Sequence, residues 1–260
     1  MTASPASASA RLPLGKLPAR PGAVSFKLSA YLDKPKLPVP PKVFGHQALV
    51  SGAWDMFGND QYGDCVFAGA AHETMLWCRE AGAAPSFTDA AVLSDYSTVT
   101  GFDPAKPDTD QGTDMTAAAS YRRKIGIVDA AGRRHTIDAY LAIKPGDVTE
   151  LKAAAYLFGA IGVGIRFPGS AMDQFNAGKP WSVVSRSSVE GGHYIPCIGF
   201  DGADFLVVTW GKVQRATPGF LKKYCDEALA YISLERLTGG KSLDGFDLAS
   251  LRADLAALHA

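Results

Sequence analysis

The sequence predicts an α+β protein, with a helical half followed by a half rich in strands. Three observations point there. Between Asp64 and Gly126, three segments carry helix start and stop signals. After Ile127 the texture changes to short β-branched and aromatic runs with helical stretches between them. Ahead of both stands a proline-bearing stretch, "PKLPVPPK" within it, that reads as an extended arm.

The first helix is expected over "DCVFAGAAHETMLWCREAG". Asp64 is placed to cap it and Gly82 to stop it, and Val66, Ala70, Thr74 and Trp77 share a face. The second is expected over "SFTDAAVLSDYSTVTG", starting near Thr88 or Asp89. "DPAKPDTDQGTD" has loop composition. "MTAAASYRRKIG" is the third helix, ending at Gly126, with "YRRK" as a solvated face. The second half reads as strand "HTIDAYLAI", helix "DVTELKAAAYLFG" with Asp147 at its start, and strands "AIGVGIRFP", "HYIPCIGFD" and "DFLVVTW". Helix "PGFLKKYCDEAL" and strand "AYISL" follow. "DLASLRADLAAL" is a short amphipathic helix near the end. The divisions expected are an arm over 1–52, a globular domain over 53–237 and a C-terminal tail over 238–260.

Composition narrows the function. The chain has 260 residues, 47% of them apolar and 20% charged, enough to bury a substantial core. Lysine plus arginine equals aspartate plus glutamate, 26 of each, so no broad basic field draws nucleic acid or anionic lipid. No apolar run reaches the length of a membrane span, and the N-terminus has no signal-like apolar core. The expected setting is cytoplasmic or virion-associated. The four cysteines form no CxxC pair, so neither a zinc site nor any other cofactor is expected. His193 and Cys197 alone would not make a metal site.

One cysteine is differently placed. Cys65 follows a Gly-Asp turn and opens a helix, where the helix N-terminus favours a thiolate. The bland alternative is one more buried thiol. A nucleophile needs an imidazole from elsewhere. His46 lies in the arm, His72 lies down the same helix, His135 follows two arginines in what reads as an exposed turn, and His259 is next to the end. His193 follows two glycines and opens an apolar strand, so its ring can face a cleft.

Here the sequence resembles the papain-like cysteine peptidases. "YGDCVFAGAA" resembles their "CGSCWAFA" region, and "VLSDYSTVTG" with "DQGTDMTAAASYRRKIGI" resembles their next two helices and glycine-bearing loop. "LKAAAYLFGAIGVGIRF", "GGHYIPCIGFDGADFLVVTWG" and "PGFLKKY" follow in the family's order, so the resemblance covers about residues 57 to 233. It implies a two-lobed fold, a helical lobe followed by an antiparallel sheet lobe. It implies a thiol hydrolase of peptide or isopeptide bonds, with Cys65 as nucleophile and His193 as general base and acid. Asn59 or Gln61 would supply an oxyanion donor, and Gly112 with Gly192 and Trp210 would line the substrate cleft. Where the family has an asparagine two residues before the tryptophan, Val208 stands here. Thr209 would orient His193 if the register shifts by one; otherwise backbone or water would. That departure supports a second expectation, a weak or inactive domain serving a larger assembly through its arm. Thiol acyl transfer or peptidoglycan amide cleavage is a third. The expected partner is a polypeptide substrate or an assembly protein, with neither nucleic acid nor membrane.

Overall fold

The computed structural model describes residues 11–240 and 243–257; the first ten residues of the expected arm and His259 lie outside them. The elements run in chain order as β1 (Phe44–Gly45), α1 (Cys65–Glu80), α2 (Asp89–Thr100), α3 (Met115–Lys124), β2 (Ile127–Val128), β3 (Arg134–His135) and β4 (Ile137–Ala142). There follow α4 (Val148–Phe158), β5 (Ile161–Pro168), α5 (Gly169–Asn176), β6 (Val189–Phe200), β7 (Phe205–Thr209) and β8 (Lys212–Ala216). The chain closes with α6 (Pro218–Tyr224), β9 (Cys225–Ser233), α7 (Leu234–Thr238) and α8 (Leu248–Ala257). The fold is α+β, built on an antiparallel sheet in the order β4-β9-β5-β6-β7-β8.

The sheet separates two apolar clusters. Period-two alternation sends Phe205 and Val207 of β7 to one face and Leu206 and Val208 to the other. The first face packs against α4, α6 and α8 through Leu151, Phe220 and Leu251. The second packs against α1, α2 and α3 through Phe67, Val92 and Ala118. Every residue of α1 from Cys65 to Cys78 is buried, which is what a helix enclosed on all sides requires. Gly69 allows the close approach of α1 to β6, because a Cβ there would meet the Tyr194 ring. This crossing brings the start of α1 to the middle of β6.

Four local readings are corrected. "CDEAL" is strand: α6 stops at Tyr224 and Cys225 enters β9, where pairing with β5 overrides helix propensity. Asp64 stands at the start of α1 but its side chain makes no capping bond; Thr88, Asp114 and Asp147 do cap α2, α3 and α4. His135 is buried, between Asp129 and Glu235. Arg122 of "YRRK" is not solvated, being only 2% exposed and 2.7 Å from Glu73. Five elements, β1, β2, α5, β8 and α7, were not read from the sequence.

The arm lies against the body. Leu28 and Tyr31 join the first apolar cluster, and Phe44–Gly45 pairs with Phe200 and Gly199 of β6.

Candidate active site

Cys65 is the first residue of α1, and its backbone N–H is among the donors that a helix start leaves unpaired. The backbone N–H groups of Tyr194 and Gly15 favour its thiolate form. Tyr194 directly follows His193 on β6, but no hydrogen bond joins the Cys65 sulfur to the His193 ring. Burial pushes the Cys65 thiol up to about 12; the Tyr194 and Gly15 amides oppose this, and Asp64 adds to it.

His193 is fully buried. Its ring stacks on Trp210 with centroids 4.3 Å apart and planes 18° from parallel. Nε2 lies 2.7 Å from Thr209 Oγ1, and Nδ1 has no hydrogen-bond partner among the described residues. With the proton on Nε2 donated to Thr209, Nδ1 keeps a lone pair free to act as a base. Burial lowers the His193 pKa to about 3, so imidazole and thiol are both neutral in this state. Thr209 reaches the ring because β7 ends there. Trp210 then takes a left-handed conformation, φ 43°, ahead of Gly211 at φ 68°. A bulky residue at such a φ costs about 1–3 kcal/mol, and the stacked, buried indole is what holds it there.

The other expected residues divide. Asn59 is buried, and its Nδ2 donates to the Tyr62 carbonyl at 3.0 Å. Gln61 is exposed. Gly112 has φ 77° and donates its N–H to the Tyr96 hydroxyl at 3.1 Å. Asp64, fully buried beside Asn59, is pushed well above the usual carboxylate range by burial.

The cleft is filled by the chain's own arm. Thr113 N–H donates to Gly15 O at 2.7 Å, Leu17 N–H to Thr113 O at 2.9 Å, and Lys16 N–H to Gly192 O at 3.0 Å. The arm runs parallel to the chain at Thr113. Glycines line both sides of this contact. A Cβ on Gly15 would collide with the Gly63 carbonyl, one on Gly112 with Gly15, and one on Gly192 with Lys16. No periodicity in the sequence signals this placement; a Leu-Gly-Lys-Leu stretch carries no local mark of its partner.

A second cysteine–histidine contact lies elsewhere. Cys78 Sγ is 3.6 Å from His135 Nδ1, and the ligand atoms of Cys78, His135 and Glu235 all lie within 4.8 Å of one another. Those atoms could surround a metal ion. The 2.7 Å between His135 Nδ1 and Glu235, with Asp129 3.1 Å from Nε2, also suits a histidine held by hydrogen bonds between two carboxylates. Cys78 is thirteen residues beyond Cys65 on α1, about 20 Å along the helix axis. Burial also raises its thiol to about 12.

No family model matches the sequence, and neither does any curated protein. Solved structures do match. Xylellain, a cysteine protease from Xylella fastidiosa, superposes with a TM-score of 0.65 at 13% identity, covering 89% of this chain and 100% of that one. ProCathepsin B S9 from Trypanosoma congolense gives 0.61 at 13% identity, covering 85% and 86%. Digestive procathepsin L 3 of Tenebrio molitor larval midgut gives 0.59 at 14% identity, covering 86% and 77%. At such identities the likeness is one of architecture: the chain has the two-lobed papain-like cysteine-protease fold.

Proposed function

We propose that the protein is a papain-like thiol hydrolase of peptide or isopeptide bonds, held closed by residues 14–17 of its own arm. What supports this reading is Cys65 at a helix start, its thiolate favoured by the amide of Tyr194, together with the neighbouring His193, whose Nε2 faces Thr209 and whose Nδ1 is unpartnered among the described residues. Once the arm leaves, water reaches the thiol, the burial that raises its pKa is relieved, and the pKa falls. The Sγ proton passes to His193 Nδ1 as sulfur bonds to the substrate carbonyl carbon. His193 then protonates the departing amine as the C–N bond breaks, and water hydrolyses the thioester. The Cys65 N–H and the second amide hydrogen of Asn59 are the donors nearest to hand for the oxyanion.

Thr209 serves as a positioning residue in this scheme. Thr209→Val is expected to lower kcat by roughly 10-fold or more once the arm is displaced, with KM little changed, and Thr209→Ser to restore most of it. Equal loss in both variants would remove the hydroxyl from the scheme.

A second reading is favoured by the burial itself. A neutral thiol and a neutral imidazole under a fixed cover also suit a domain that no longer catalyses and serves an assembly. The test is peptide hydrolysis by the full chain carrying Gly15→Val. Turnover that Cys65→Ala and His193→Ala each abolish supports the hydrolase; none on any peptide pool, from a folded variant, supports the second reading.

A further inference from the structure

Lys16 is a charged side chain with no exposure at all, and the pocket around it is built for a cation. Its Nζ lies 3.0 Å from Asp226 Oδ1, 3.8 Å from Glu227 Oε2 and 3.0 Å from the Leu17 carbonyl. Its methylene stem runs between Met115 and Gly164; a Cβ on Gly164 would strike Lys16 Cε. Asp226 and Glu227 open β9, and Gly164 on β5 pairs with both Glu227 and Tyr194. The pocket therefore adjoins His193 through one strand. Four residues on, Arg20 makes a two-pronged bond to Asp114, Nε at 2.6 Å and Nη2 at 2.7 Å. Beyond it a cavity of about 260 Å³ continues along Arg20, Pro21, Asp226 and Glu227.

The body thus contributes three carboxylates, Asp114, Asp226 and Glu227, and the arm contributes the two cations that bond them. Without the arm, Asp226 and Glu227 would face an open cleft as partly buried acids lacking the cation that now bonds them, a costly arrangement that any basic side chain relieves. Glu227 already reports the strain: burial lifts it to about 7 even with Lys16 beside it.

We propose that this acidic pocket is the recognition site for a lysine or arginine side chain of a polypeptide, and that Lys16 is its resident, exchangeable occupant. The proposal rests on the hydrolase reading for its consequence, that basic polypeptides are the preferred substrates and that they compete with the arm for the cleft. Because the arm is tethered, its effective concentration is on the order of millimolar, so a basic segment must bind well or be abundant to displace it.

The test uses the full chain with Gly15→Val, which unseats the arm at the Gly63 carbonyl, and with Cys65→Ala for binding. Fluorescence anisotropy would follow a labelled peptide of the sequence from Leu12 to Arg20, and the same peptide with methionine for Lys16. The lysine peptide is expected to bind at least tenfold tighter, and Asp226→Asn with Glu227→Gln to erase the difference. Equal binding of both peptides, or no binding of either, overturns the proposal. Hydrolysis with Cys65 intact separates the two ideas: selective binding without turnover sinks the hydrolase and leaves the pocket, while turnover blind to basic residues does the reverse. Should Gly15→Val fail to fold, Lys16→Met in the otherwise native chain is the second probe. It should speed alkylation of Cys65 at least tenfold by loosening the arm, and an unchanged rate overturns the proposal.

Discussion

Gly15→Val is expected to raise the alkylation rate of Cys65 at pH 7.5 by about 100-fold or more. With the arm seated, the thiol stands at about 12. Only about 3 in 100,000 molecules then carry the thiolate at that pH, and the thiolate is the form that reacts. Valine at position 15 cannot share space with the Gly63 carbonyl, so the segment must lift from the cleft. Solvent and a chargeable His193 then stabilise the thiolate. The sign is testable by pH. In the native chain the rate should climb tenfold per unit through pH 9, far below the folded pKa; in the variant it should level off by then. Peptide mapping by mass spectrometry assigns the label, and Cys65→Ala should remove the new component alone. Burial holds Cys78 and Cys197 at about 12 and Cys225 at about 11, so these stay slow in both proteins. A variant as unreactive as the native chain would show that something other than the arm shuts the site.

The second large effect concerns the support behind the site. Glu73 of α1, fully buried, accepts from the Tyr194 hydroxyl at 2.6 Å and from Arg122 Nη1 at 2.7 Å. The Arg122 guanidinium lies over the Tyr231 ring at 4.2 Å. This network ties the helix that carries Cys65 to the strand that carries His193. Burial pushes Glu73 up, opposed by Arg122; burial likewise pulls Arg122 down, and Glu73 more than offsets it. Glu73→Ala leaves a buried guanidinium without its partner, a loss of about 3–5 kcal/mol. For a domain of this size the melting temperature should fall by about 6–20 °C. Replacing both partners, Glu73→Leu with Arg122→Met, should recover most of that, because the cost lies in the orphaned charge. Scanning calorimetry of the single and double variants decides; a double variant as unstable as the single would argue that the network stabilises by more than charge pairing.

What could be read from the sequence was whatever is written locally. Helix starts at Thr88 and Asp147 and the alternation of β7 each follow from a few adjacent residues. Cys65 and His193 were singled out by their local settings, a helix start and a glycine-flanked strand, and the structure places Cys65 first in α1 and His193 buried on β6. The register that puts Thr209 against His193 depends on the left-handed turn at Trp210, which no adjacent residue announces. Partners set by the tertiary fold were not legible. Arg122 reads as a surface residue until Glu73, distant in sequence, is packed beside it. His135 reads as exposed until β3, α1 and α7 enclose it. "CDEAL" reads as helix until β5 offers it a ladder. Least legible was Lys16, whose two acids stand more than 200 residues away.

The arm is fastened in two unlike ways. Residues 14–20 sit in the cleft by backbone bonds and two charge pairs, while Leu28, Tyr31 and Phe44–Gly45 are built into the apolar interior and the sheet. Between them lies a turn at Pro21–Gly22, where both residues are exposed and Gly22 has φ 81°. A single nick there would sever the cleft segment from its anchor, making its departure irreversible, and leave the remainder in place. Unmasking the site would then be a one-way event that leaves the architecture intact.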